Sequence, residues 1–222
     1  MSSFDWGIVW REAPFLAHGM ALSALLVVVA TAGGLVLGVV LALMRQSSRS
    51  WLSVPAAGYV TVMRSLPLVL VLFWFYFLVP LALGRPVGAL ASALVAFVLF
   101  EAAFYCEIIR AGIASVRAGQ TQAALATGMR QSQVFRLIVG PQALRAMVPL
   151  LLNQIIIVFQ DTSLVYVVAL RDFMTSASIV ADRDGRPTEM YTIVAIVYFV
   201  ICFSASKAVE IYQRAPARCP TR

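Results

Sequence analysis

The 222 residues are 61% hydrophobic and only 12% charged, with a mean hydropathy of +0.89. Soluble domains carry about 25% charged residues, so this composition excludes a soluble globular protein and defines an integral membrane protein. The net charge of +7 does not indicate nucleic acid, because the arginines are dispersed between apolar segments and form no single basic face.

The opening stretch, MSSFDWGIVWREAPF, lacks a basic n-region and carries Asp5, Arg11 and Glu12, so it reads as an external N-terminus and not as a cleaved signal. Span one follows at 15–44, where only His18 can carry charge. A helix of that length reaches about 45 Å, enough to cross the hydrocarbon. Gly34 and Gly38 stand in GxxxG spacing there, which favours close packing of a neighbouring helix over a dedicated dimer motif. After the basic turn at Arg45 and Arg49, span two, 54–83, begins with an interfacial stretch and is interrupted at Arg64 and Pro67. Gly84, Arg85 and Pro86 break the pattern, and span three, 87–113, carries two acids, Glu101 and Glu107.

Residues 110–145 then hold five arginines and no acid. Span four, 147–170, is the most polar crossing, with Asn153, Gln154, Gln160, Asp161, Thr162 and Ser163. A charged external segment at 171–189 leads to span five, 189–209, and 215–222 read as a mobile cytoplasmic tail. The expected fold is therefore an all-α membrane protein with five transmembrane helices. An external N-terminus puts eleven Lys and Arg inside against five outside, with Arg64 unassigned, so the expected topology is N-out and C-in.

Enzyme chemistry has no constellation here. The single lysine, Lys207, has no phosphate-binding loop around it, and no Ser-His-Asp, HExxH or paired-cysteine arrangement occurs. Cys106, Cys202 and Cys219 are dispersed and suggest neither a disulfide framework nor a metal site. Polar groups in the membrane and a structured cytoplasmic segment remain. Within that segment a small-residue helix is expected over 120–127, ended by Gly128 in the left-handed C′ position. Ser132 is the expected N-cap of a second short helix, which Pro141 stops or redirects. Such a pair lying across the membrane surface reads as a docking element for a cytoplasmic protein. The residues alone also admit a stand-alone secondary transporter or channel, although an odd span count without internal duplication disfavours two inverted halves.

Three motifs narrow this. QAALATGMRQSQVFRLIVGPQALR resembles the EAA loop of ABC-transporter permease subunits. YVTVMRSLPLVLV and FEAAFYCEIIRAGI are similar to the polar amino acid uptake permeases, and NQIIIVFQDTSLVYV carries that family's DTSL signature. FQDTSLVYV, AMVPLLLNQ and ADRDG look most like its glutamate/aspartate import branch. The resemblance implies a single importer transmembrane domain over 1–214, in a bacterial inner membrane, with its EAA loop at 117–145. It implies three partners: a cytoplasmic ABC ATPase dimer, a second permease of the same or a similar chain, and an external amino-acid-binding protein. No cofactor is expected on this chain, since ATP and magnesium belong to the ATPase. Coupling would fall to Gln122, Ala123, Ala124, Gly128, Gln131 and Pro141, with Gln122 replacing the family's glutamate. Loss of that charge would turn one charge-assisted hydrogen bond into a neutral one, a difference of about 1 kcal/mol.

Acids inside a span are usually functional. Glu101 and Asp161, with Thr162 and Ser163, either line the amino acid path or order spans three and four through an internal network. Glu107 and Arg110, one helical turn apart, are expected to form a structural ion pair. Arg64 either attracts a substrate carboxylate or reaches for headgroups.

Overall fold

The computed structural model describes residues 6–214, and every regular element among them is helical. The chain forms α1 (Gly7–Arg45), α2 (Ser50–Arg64), α3 (Leu68–Phe73), a π-turn (Trp74–Leu78), α4 (Val79–Leu83), α5 (Ala89–Ala114) and α6 (Ala118–Ala126). It continues through α7 (Gln131–Val134), a second π-turn (Phe135–Val139), α8 (Gly140–Asp161), a 3₁₀ segment (Thr162–Val168), α9 (Phe173–Asp184) and α10 (Pro187–Arg214). The expected tail at 215–222, with Cys219, lies outside the described residues, as does Asp5.

Among the described residues, four helices are long and apolar enough to cross a membrane: Gly7–Arg45, Ala89–Ala114, Gln131–Val168 and Pro187–Arg214. A broken pair, Ser50–Arg64 with Leu68–Leu83, bent by 106°, is long and apolar enough only when its two halves are taken together, and it is the candidate for a fifth crossing. Pro67 causes the break. It excludes the α conformation at Leu66, and with ψ 138° it caps α3 in an extended conformation. The hydroxyl of Tyr59 fixes α2 by donating to the Leu99 carbonyl of α5 at 2.6 Å.

Packing centres on α5, whose partner α1 presents a stripe of small residues. A Cβ at Gly34 would come 2.9 Å from the Glu101 Cβ, and one at Gly38 would come 2.7 Å from the Tyr105 Cβ. The GxxxG pair therefore serves close approach of two helices within one chain. Leu26 and Ala30 of α1, Phe97 of α5, Val71 of α3, Val158 of α8 and Val165 of the 3₁₀ segment close the main core, all fully buried.

The charged segment 171–189 carries a helix of its own, α9. Asp172 caps α9 by accepting from the backbone N–H groups of Met174 and Thr175 at 3.1 and 2.9 Å, and Phe173, Ala177 and Val180 then bury against Ile8 and Leu16 of α1 and Met190 of α10. These 12 residues do not stand out by hydropathy, because Thr175, Ser176 and Ser178 dilute their apolar side chains and Asp182, Arg183 and Asp184 close the helix. Two expectations need correction. First, Ser132 does not cap α7. Arg130 does, with its backbone N–H donating to the Gln133 side chain at 2.8 Å. Second, Pro141 neither stops nor redirects its helix. The π-turn before it contains the i−5 bond from Gly140 N–H to the Phe135 carbonyl, and this extra residue accommodates the proline ring that would otherwise clash with the preceding turn. The helix of span four accordingly starts at Gln131, ahead of the expected crossing at 147–170.

Candidate functional site

The segment between α5 and α8 folds as a corner. α6 ends at Ala126, and Gly128 turns the chain at φ +85°. That conformation costs an L-residue roughly 1–2 kcal/mol but costs glycine nothing. Thr127 Oγ1 closes the helix end by donating to the Ala124 carbonyl at 2.8 Å. The corner has its own small core, in which Ala124 packs on Val134 and Val139.

Gln122, Ala123, Gly128, Gln131 and Pro141 are exposed, whereas Ala124 faces inward. Ala124 thus holds α6 on α7, and the outward surface comes from other residues. Leu125, Phe135 and Leu137 are large apolar side chains left open. A groove of about 270 Å³ between α6 and the π-turn is lined by Thr121, Leu125, Gln131, Val134, Phe135 and Val139. Sequence inspection passes over this groove because α7 and its π-turn were read as a short isolated helix. Once Gln131–Val168 runs as one helix, Phe135 and Leu137 become its exposed first turns.

The intramembrane polar groups divide into two sets. Glu101 is 0% exposed and accepts a hydrogen bond at 2.9 Å from Gln154 Nε2 of α8. Its Oε1, the Tyr105 hydroxyl and Thr31 Oγ1 are buried, with no hydrogen-bond partner among the described residues. Asp161 ends α8 and is half-buried. The hydroxyls of Thr162 and Ser163 turn back on the chain, donating to the Phe159 and Gln160 carbonyls at 2.7 and 2.8 Å. These bonds tighten the helix end into the 3₁₀ segment, which finishes at Ala169 with φ 58°. Thr162 is buried, while Ser163 lines a cavity of about 320 Å³ with Gln160, Tyr166, Met174 and Tyr198, between the end of α8, α9 and α10.

Glu107 lies apart from these groups. Arg110 donates to its Oε2 from Nε at 2.9 Å, and Arg45 at the end of α1 bonds its Oε1. The pairing with Arg45 could not be read from spacing, since it spans 62 residues. Arg64 also belongs here, with its guanidinium 3.6 Å from Glu107 and 5.7 Å from the centre of the Phe104 ring. The structure therefore does not bring Arg64 together with Glu101 and Asp161.

At the opposite end of α1, Arg11 donates to Asp184 at 2.9 Å, and Arg183 pairs with Glu12 at 2.7 Å and with Asp184 at 2.8 Å. This network ties the start of α1 to the end of α9. The hydrogen bonds from Arg183, then those from Arg11, hold the Asp184 carboxyl below its usual range. Burial pushes Asp172 up, opposed by the bonds from Thr175 and Met174.

Residues 34–217 match the family of binding-protein-dependent transport system inner membrane components. The chain is 48% identical to the glutamate/aspartate import permease protein GltK of Escherichia coli O157:H7, over 98% of this chain and 100% of that one. It is 33% identical to the arginine transport system permease protein ArtQ of Bacillus subtilis, over 94% and 96% of the two chains. Among solved structures, a crystal structure of an amino acid ABC transporter with histidines superposes with a TM-score of 0.91 at 29% identity, covering 96% of this chain and 100% of that one. The methionine transporter MetNI, in an inward-facing form, superposes at 0.65 with 18% identity and shares the fold. The chain belongs to the family of ABC-importer inner membrane permeases. It is the multi-pass permease subunit of an amino acid importer, in which ATP hydrolysis falls to a separate protein.

Proposed function

We propose that this permease carries glutamate and aspartate, delivered by an external binding protein, through a path made with a second permease. Two ATPase subunits, which bind ATP and magnesium, grip the α6–α7 corners. The 48% identity to a glutamate/aspartate import permease along the whole chain supports the substrate assignment. The arginine distribution supports placing the corner in the cytoplasm and the N-terminus outside.

One observation carries the coupling mechanism: a single helix runs from Gln131, beside the corner, to Val168, beyond Asp161. Movement of the corner by the ATPases reaches the outer half of the membrane along one element, without an intervening hinge loop. Gln122, Ala123, Gly128, Gln131 and Pro141 present the corner to the ATPase, and Ala124 fixes its shape. Asp161 and Ser163, at the far end of the lever, border the amino acid path, with Asp161 suited to the α-ammonium group. Glu101, held by Gln154, and Thr162 set the spacing of α5 and α8 behind them. Glu107 and Arg110 are structural.

Reconstitution into vesicles tests the reading. Uptake of labelled glutamate should require the ATPase, ATP and the binding protein together, and unlabelled aspartate should compete. Uptake by this chain alone, driven by an ion gradient, would refute it.

A further inference from the structure

We infer that the arginines gathered at the ends of α1, α2 and α5 hold the phosphate of an anionic membrane lipid. Arg45 ends α1, Arg64 ends α2, and Arg110 lies in α5 one turn from its end. All three converge on Glu107. Each oxygen of that carboxylate already accepts from an arginine: Arg45 bonds Oε1, and Arg110 bonds Oε2 through Nε at 2.9 Å. Arg64 stands 3.6 Å away, beyond hydrogen-bond distance, and rests on Phe104. One negative charge thus faces three positive ones.

The surplus is accessible. Arg64 and Arg110 keep 45% and 47% of their side-chain surface open, against 19% for Arg45. No acid occurs in the sequence between Glu12 and Glu101 or between Glu107 and Asp161, and outside those stretches Glu12 and Asp184 are engaged with Arg183, Glu189 with Arg186, and Glu210 with Lys207 and Arg214. Glu101 itself is sealed and bonded to Gln154. An oxyanion with several acceptor atoms fits two half-open guanidiniums, each able to give paired N–H bonds to phosphate.

The lipid source is favoured by the surroundings. Basic pockets between membrane helices take lipid headgroups. The helices that carry these arginines also expose Val36, Val40 and Leu43 of α1 and Val54 and Val62 of α2, together with Trp51 at the start of α2. Apolar surface belongs against acyl chains, and an indole belongs at the headgroup level. The break at Pro67 ends α2 at Arg64 and leaves that guanidinium at the margin of the bundle instead of within a straight span.

The test uses the complete transporter, with its ATPase and both permeases, extracted from vesicles of phosphatidylglycerol mixed with phosphatidylcholine and weighed intact by native mass spectrometry. Wild type should retain phosphatidylglycerol in preference to phosphatidylcholine. Retention should fall about five-fold in Arg64→Gln and about 25-fold in Arg64→Gln with Arg110→Gln, roughly five-fold per arginine. Arg85→Gln, in the exposed turn before α5, should retain lipid as wild type does. Should the double variant fail to assemble, the single variant decides, because Arg64 makes no hydrogen bond to Glu107. Equal retention in wild type and Arg64→Gln would overturn the inference. Release of the lipid by millimolar inorganic phosphate would assign the site to a soluble anion instead, and a cross-link from residue 64 to the ATPase would assign it to that protein.

Discussion

The substitution Gly140→Val tests the lever most sharply. Gly140 donates the π-turn bond to the Phe135 carbonyl, and a Cβ there would stand 2.8 Å from that oxygen. Ordinary contact begins near 3.4 Å, so the atoms must part by about 0.6 Å, and both sides of the clash are backbone. Overpacking of this kind costs about 1–3 kcal/mol. The cheapest relief is loss of the π-turn, which rotates everything before it by up to one residue's turn, about 100°. α6 would then meet the ATPase in the wrong orientation while α8 stays packed on α5. A coupling loss of 1–3 kcal/mol corresponds to about 5- to 150-fold. The assay is ATPase stimulation by substrate-loaded binding protein in vesicles, with subunit assembly followed by size-exclusion chromatography. Stimulation should fall at least five-fold in an assembled complex, while Gly58→Ala, whose added Cβ meets nothing within 4 Å, leaves it unchanged. Wild-type stimulation in assembled Gly140→Val would refute the reasoning.

Three further outcomes follow from the packing and charges. Gly38→Val places a side chain 2.7 Å from the Tyr105 Cβ and 3.1 Å from the Ala102 carbonyl, so α1 and α5 must separate, and thermal unfolding in detergent should show a loss of about 1–3 kcal/mol or more. Glu107→Gln leaves Arg45, Arg64 and Arg110 facing one another without the carboxylate between them, and should destabilise the protein more than Arg110→Gln, which leaves the bond to Arg45 in place; equal melting temperatures would contradict this. Asp184 has its folded pKa below the ordinary 3.8, so its contribution is fully present above that pH and is lost as the pH falls below it. Fluorescence of Trp10, beside Arg11, should therefore be constant from neutral pH to about pH 4, and Asp184→Asn should abolish any change that appears at lower pH.

The crossings were legible because length and hydropathy are nearly sufficient for them, and the corner was legible because only glycine takes Gly128's backbone cheaply. Three features were hidden, each for a physical reason. The π-turn at Phe135–Val139 has no composition of its own, so Pro141 reads as a stop or a redirection when it follows a bulge. α9 is short, and its hydroxyl side chains and charged end hid the buried face formed by Phe173, Ala177 and Val180. The partners of the acids come from distant helices: Gln154 for Glu101 and Arg45 for Glu107 lie 53 and 62 residues away, and only the near partner, Arg110, could be read from helical spacing. Ala124 shows the limit within a motif. Its small size was evident, but the direction it faces depends on Val134 and Val139 beyond the glycine corner.

Spin labels at Leu137 and Ile157, both exposed and on opposite sides of Pro141 and Pro149, measure the lever itself. Twenty helical residues separate them by about 30 Å. In the complete transporter this distance should stay constant, within about 2 Å, between the nucleotide-free and ATP-bound states, while the distance from Leu137 to Arg85 changes. A change of a full helical turn, about 5 Å, between Leu137 and Ile157 would place a hinge inside the helix and contradict rigid transmission from the corner to Asp161.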